Sequence, residues 1–424
     1  VGDDVCVVHR DDLAATRGEE VAEAPPDVAT LALRVRREPA ITRVLMASRS
    51  AEAYRFVGER LRAGEQAYVV VPVASQVSVD YLDTREFAMR PRQWLNLMTQ
   101  TKATISFGPP FGYELCTRRL RPGEATKYDL SNWRVAGVGA EMIRSETLTR
   151  FAQALKPAGF NENAFLACYG MAECSLAISF APLFQGHSTD CVDGDYHSDF
   201  QEALPIHLSE NPGRARCFVD CGTPLPEYEV EIRGDDGSVL PDRLSGSIFV
   251  RGPSVMSGYF NAPDETAAAL SEDGWLNTGD VGYRVDGSLI VTGRKKDLII
   301  INGRNIWPQD LEYLAEHQPE VRIGDALAFS VPNPNGDEIC VLVVQCRESD
   351  PVKRTSLIDR LNRLVHMELG IDVFVELVPL HTLPRTSSGK LSRSKARQNF
   401  IQSHDLARLS EQMVDELELK QGSV

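Results

Sequence analysis

Between Ala103 and Gly170 short apolar runs alternate with turns and a helical period, and this alternation constrains the fold most. Ala103-Thr104-Ile105-Ser106-Phe107 closes on Gly108-Pro109-Pro110. Trp133-Arg134-Val135-Ala136-Gly137-Val138 closes on the Gly139-Ala140-Glu141 turn. Phe165-Leu166-Ala167-Cys168-Tyr169-Gly170 enters a third turn, and residues 146–155 carry a helical pattern. Buried strands alternating with helices argue for an α/β layer structure. Upstream, Ile41 to Met46 reads as a strand and Ala51 to Leu61 as a helix stopped by Ala63-Gly64. Tyr68 to Pro72 reads as a second, buried strand, so this β-α-β unit implies a parallel pair. Residues 1 to about 37 are polar and acidic and read as a loop-rich lead or a disordered tail.

The pattern then changes twice. Glu227-Tyr228-Glu229-Val230-Glu231-Ile232 alternates polar and apolar, Asp235-Asp236-Gly237 turns, and Gly246 to Arg251 forms the next strand, which are antiparallel signals. After Arg294 come a strand at Leu298–Ile301 with Asn302-Gly303 behind it, and a helix opened by Pro308. Strands at 326–331 and 340–344, a helix at 353–368 and a third strand at 373–378 complete the pattern. The expected architecture is α/β: an atypical N-terminal region (1–75), a large domain (76–293) of α/β layers with a small β subdomain at about 217–291, and a small α+β C-terminal domain (294–424).

Composition narrows the function. Of 424 residues 43% are hydrophobic and 25% charged, as in ordinary globular proteins, and the net charge of −15 argues against nucleic acid as a partner. No apolar run approaches the roughly 18 residues a membrane span needs. The nine cysteines are scattered, never spaced C-x-x-C, and read as reduced thiols of a cytoplasmic protein.

Four segments carry chemistry. Gly137-Val138-Gly139-Ala140-Glu141 fails as a dinucleotide loop because position 142 is Met. Tyr169-Gly170-Met171-Ala172-Glu173 ends a buried strand. Its ring can stack a purine and its carboxylate can hold Mg²⁺, or the whole can be a core turn. In Asn277-Thr278-Gly279-Asp280 and Gly293-Arg294-Lys295-Lys296-Asp297, Asp280 can accept both ribose hydroxyls and Arg294 can reach ribose or phosphate; the alternative is a hairpin with a solvated charge cluster. Pro384 to Arg393 fails the Walker A template at Pro384 and Leu391, yet a Ser/Gly loop carrying Lys390 suits delivery of a cation to a carboxylate and a phosphate.

In order and spacing these segments resemble the adenylate-forming superfamily of acyl-CoA synthetases, nonribosomal adenylation domains and luciferase. Gly293 to Glu312, Tyr169 to Leu176, and Arg90 to Leu95 through Phe111 to Leu115 are most similar to fatty acyl-AMP ligases. The resemblance implies that a fatty acid attacks ATP in the presence of Mg²⁺ to give acyl-AMP. The acyl group then passes to the phosphopantetheine thiol of an acyl carrier protein or a polyketide synthase carrier domain, as part of fatty acid metabolism. It also implies roles: Gly139, Ala140, Tyr169, Gly170, Met171 and Ala172 around the nucleotide, Glu173 on Mg²⁺, and Asp280 and Arg294 on ribose. Lys296 would be the hinge of a mobile C-terminal domain, Lys390 the catalytic cation, and Phe107, Phe111 and Tyr113 the acyl pocket. The family's Ser/Thr/Gly-rich phosphate loop does not occur upstream of Arg90, so the alternative is an impaired, truncated or rearranged relative that binds acyl-adenylate or carrier protein without adenylating. Residues 41–72 resemble, over a short stretch, the motor domain of RecG-type DNA helicases; the acidic charge argues against that function.

Overall fold

The computed structural model describes residues 5–8, 31–34, 66–69, 79–82, 84–207, 209, 214–301, 304–332, 338–385 and 391–406. The largest sheet has seven strands. Side by side they are Thr223–Pro224, Ala177–Phe180, Phe165–Gly170, Val135–Val138, Ile105–Gly108, Val5–Val8 and Val79–Leu82. The three expected strands from 105 to 170 run parallel, and the flanking ones are antiparallel. Val135–Val138 is buried at every position, as a parallel strand covered on both faces must be. The helix Ser145–Leu155 buries Leu148, Phe151, Ala152 and Leu155, one stripe at helical spacing.

An aromatic nucleus lies against this sheet. Trp94 and Tyr113 are fully buried with ring centroids 5.0 Å apart, and Trp133 lies 5.1 Å from Trp94, both pairs edge-on. Such contacts add stabilisation beyond area burial. The polar ends are satisfied: the Trp94 indole N–H donates to Ser106 Oγ at 2.9 Å, and the Tyr113 hydroxyl donates to the Gly137 carbonyl at 2.9 Å.

A four-stranded antiparallel sheet comes next, in the order Glu229–Arg233, Gly246–Arg251, Leu276–Val285, Ser288–Arg294. After it, Ile299–Ile301 pairs with Arg304–Ile306, and the Asn302-Gly303 connection lies outside the described residues. A sheet of Ala326–Pro332, Glu338–Gln345 and Phe374–Val378 completes the chain. Its two faces bury different sets, as period-two alternation dictates. Ala326, Ala328, Leu342 and Val344 pack with Leu311, Leu357 and Leu361, whereas Leu327, Phe329, Val341 and Val343 pack with Ala396 and Phe400.

Three expectations need correction. Residues 1–37 contain two strands, Val5–Val8 and Leu31–Arg34, where a loop-rich lead or a tail was expected. Runs such as Val5-Cys6-Val7-Val8 are short but β-prone, and this one pairs on both sides, with Ile105–Gly108 and Val79–Leu82. The strand expected at 68–72 is described over Gln66–Val69, where it pairs antiparallel with Leu31–Arg34. Residues 41–46 and the helix expected at 51–61 lie outside the described residues. Finally, not all the cysteines are thiols: Cys191 and Cys217 form a disulfide. They face each other across the antiparallel ribbon Thr189–Asp193/Ala215–Val219, a relation invisible to sequence spacing. Cys116, Cys168, Cys174, Cys221, Cys340 and Cys346 remain free, all but Cys168 buried. Among the described residues no helix is long and apolar enough to cross a membrane.

Candidate active site

The ends of the parallel strands and the edge of the four-stranded sheet meet at one carboxylate. Asp280 is nearly buried. It sits on Leu276–Val285 directly opposite Arg294 on the neighbouring strand, and the Arg294 Nε lies 3.2 Å from Asp280 Oδ1. From the large sheet, the Tyr169 hydroxyl donates to Asp280 Oδ2 at 2.7 Å. Tyr169 and Asp280, read in separate segments and 111 positions apart, thus meet in one hydrogen bond. Burial pushes the Asp280 carboxyl up, while the Tyr169 hydroxyl and the nearby charges of Arg294 and Lys296 pull it back down. Burial first, and then the Asp280 charge, push the Tyr169 phenol far above its ordinary range, so it stays a donor.

The reversal of the chain just after Tyr169 holds that residue rigidly. The backbone leaves Phe165–Gly170, makes the one-turn segment Ala172–Cys174, and returns as Ala177–Phe180. The return passes so close that a Cβ on Gly170 would lie 1.8 Å from the Leu176 carbonyl oxygen, and only glycine fits. Gly139 is constrained likewise, since a Cβ there would lie 2.7 Å from the Cys168 carbonyl oxygen. Ala140 takes a left-handed conformation, φ 67°, at the end of Val135–Val138. Met171 is half-buried against the core beside Tyr169.

Glu173 projects from the short turn after Gly170. Its Oε1 accepts the Tyr259 hydroxyl at 3.0 Å, and its carbonyl accepts the Met256 amide at 2.7 Å. Tyr259 also lines an open cleft of about 640 Å³ whose opposite wall is Asn277, Thr278 and Gly279, the residues leading into Asp280. The cleft is thus lined by the hydrogen-bond partner of Glu173 and by the residue before Asp280.

A family model described as AMP-binding enzyme matches residues 64–260. Residues 64–260 belong to the AMP-binding enzyme family. A Caulobacter vibrioides protein provisionally named an acyl-CoA synthetase is 48% identical over 335 residues, which are 79% of this chain and 58% of that protein. A medium-chain-fatty-acid–[acyl-carrier-protein] ligase of Moorena producens is 33% identical over 356 residues, 81% of this chain and 57% of the relative. A solved structure from work on the fatty acyl-adenylate ligases of E. coli and L. pneumophila superposes with a TM-score of 0.71 at 46% identity, covering 77% of this chain and 58% of that one. The chain thus spans under two thirds of the relatives it matches.

The other expected site residues scatter differently. Lys296 lies in the short turn Lys295–Asp297 just after Arg294, near enough for its charge to act on Asp280. Lys390 lies outside the described residues, although the base of its loop is pinned: Arg385 bridges Leu391, and the Ser392 amide donates to the Pro384 carbonyl at 2.9 Å. Just beyond, Arg393 is clamped between Glu312 and Asp297 and donates to the Ala328 carbonyl at 2.7 Å. Of the acyl-pocket residues, Tyr113 belongs to the aromatic nucleus and has no exposed surface. Phe107 and Phe111 are half-buried at its edge, 6.4 Å from Phe180 and 6.3 Å from Phe87 respectively.

One carboxylate is a sparse metal site, and among the described residues no group of three or more His, Cys, Asp or Glu converges. That suits Mg²⁺, which is commonly held by one or two carboxylates, waters and substrate phosphates. Glu173 would supply such an oxygen if its Tyr259 bond were shared or released. Sequence reading missed Tyr259, and it gave no role to Thr278, whose hydroxyl accepts the Asp280 amide at 3.1 Å. The sole signal for the former was an aromatic following Gly258.

Proposed function

We propose that this chain activates a fatty acid with ATP and Mg²⁺ as acyl-AMP, and passes the acyl group to the phosphopantetheine thiol of a carrier protein. The observation that carries this reading is the convergence of Tyr169, Arg294 and Lys296 on the buried Asp280. An ionised carboxylate there accepts hydroxyls of a ribose, the Tyr169 ring flanks the purine beside Gly139, Ala140, Gly170, Met171 and Ala172, and Arg294 offers a cation. Mg²⁺, when bound through Glu173, would offset charge on the phosphates. Lys390 would bring its ammonium to the carboxylate and the α-phosphate, where negative charge accumulates in the transition state. Residues 294–424 would move about Lys296 to admit the thiol. The naming of the Moorena relative as an acyl-carrier-protein ligase supports the choice of acceptor.

A second reading is a relative that binds acyl-adenylate or carrier protein without adenylating. It is favoured by the lack of a Ser/Thr/Gly-rich loop followed by lysine upstream of Arg90. Pyrophosphate release with ATP, Mg²⁺ and a panel of fatty acids decides between them, with Lys390→Ala as the control. Release from the parent chain, reduced at least about a hundredfold in the variant, is the expected outcome. A folded chain that binds acyl-AMP and releases no pyrophosphate with any acid establishes the second reading instead.

A further inference from the structure

A second cleft, of about 380 Å³, shares no residue with the Asp280 site. Three separate pieces of chain build it: residues 89–96 at the start of the helix Arg92–Thr101, Arg119 at the end of the helix Pro110–Arg119, and the turn Glu124–Lys127 with Tyr128. Arg90, Arg92, Arg119 and Lys127 line it, together with the carboxamides of Gln93 and Asn96. Its one acid, Glu124, is engaged at both oxygens, with Oε1 on the Arg92 guanidinium and Oε2 accepting the Arg121 amide at 3.0 Å. Arg90, Arg119 and Lys127 form no ion pair among the described residues. Four cations against one carboxylate leave an excess of three positive charges, in a chain whose net charge is −15.

Like charges gathered from three elements repel one another and raise the energy of the empty cleft. An anion relieves that repulsion. The donors suit phosphate oxygens, since guanidinium groups bind them through paired N–H bonds and amides add neutral ones. Size also discriminates. The cavity has room for about a dozen waters' worth of ligand, whereas a protein partner needs on the order of 800 Å² of matching surface. We propose that this cleft binds a small phosphate-bearing anion of the mono- or diphosphate class. The proposal stands independently of the ligase reading.

The probes are inorganic phosphate and pyrophosphate, titrated into the full chain by calorimetry or ³¹P line broadening. The variants Arg119→Glu and Lys127→Glu alter exposed positions outside the Asp280 site, and an unchanged melting curve verifies their folding. Saturable binding is expected, weakened about tenfold by each reversal, the size of one charge-assisted hydrogen bond. It should weaken again as salt rises from about 0.05 M to about 0.5 M. Tighter pyrophosphate binding assigns the diphosphate class, and equal affinities assign a single phosphate. Failure of both probes to bind, or binding indifferent to both reversals, overturns the proposal. So does capture of an acidic protein by a cleft that takes neither anion.

Discussion

Gly170 shows how much a single position can fix. The returning strand passes within 1.8 Å of where its Cβ would be, and Tyr169 beside it supplies the hydroxyl that reaches Asp280. Gly170→Ala forces backbone apart at both, and we expect a loss of about 3 kcal/mol in urea unfolding, at the upper end of overpacking effects. A loss under about 0.5 kcal/mol, the size of an ordinary surface change, would mean that the approach is looser than described. At this scale the sequence was readable where chemistry and spacing agree. Tyr169, Glu173, Asp280 and Arg294 are polar or aromatic residues at the ends of apolar runs. Tyr113, expected in the acyl pocket, packs in the aromatic nucleus; an aromatic near a strand end looks alike from sequence whether it lines a cavity or fills a core. Tyr259 was missed because its partner lies 86 positions away.

At the scale of elements, periodicity served well for the parallel strands between 105 and 170, the helix Ser145–Leu155 and the strands from 326 to 378, because each buries a well-defined set of side chains. It failed for Val5–Val8 and Leu31–Arg34, four-residue strands too short to show a period, and for the ribbon carrying Cys191 and Cys217. That ribbon leads into the helix Gly194–Phe200, capped by Asp193, whose His197 is buried and hydrogen-bonded to Ser245 at 2.7 Å. Burial lowers His197 from 6.5 to about 4. The folded chain therefore keeps this ring neutral at pH values where the unfolded chain protonates it. Its contribution is fully present above about pH 6.5 and is lost as pH falls toward 4. Over that window the loss reaches about 3 kcal/mol at 1.36 kcal/mol per unit. Unfolding curves of the parent and His197→Gln across that range read it directly. Parallel pH dependences in the two proteins would reject the assignment.

In the whole molecule, separate cores form on either side of residue 298, and ion pairs join them. Arg144 meets Glu316, Arg216 lies 3.3 Å from Asp310, and Arg304 lies 3.3 Å from Asp199. Both ends of the first pair are largely shielded, and Glu316 Oε1 also accepts the Gly324 amide at 2.7 Å. Arg144→Met would leave a buried carboxylate unpaired, a change that typically costs about 3–5 kcal/mol. Hydrogen exchange in the helix Pro308–Glu316 should accelerate in this variant and recover when Glu316 is also replaced by Met. Unaltered exchange in the single variant would show that the pair does not hold the two parts together. None of this was legible beforehand: the existence of two units follows from local pattern, but their mutual placement depends on residues 172 positions apart.

The paired hydrogen bonds at Asp280 have a stoichiometric consequence. A carboxylate offers about four lone-pair positions. The Tyr169 hydroxyl occupies one on Oδ2 and the Arg294 guanidinium one on Oδ1, so one vacancy remains on each oxygen, the number a vicinal diol fills. A nucleotide lacking one hydroxyl would leave a shielded acceptor unfilled, a deficit of about 1–3 kcal/mol. The contrast between ATP and 2′-deoxy-ATP should therefore be roughly ten- to hundredfold in affinity, and should collapse in Asp280→Ala. Selection of ribose over deoxyribose would then come from counting acceptors and not from steric exclusion.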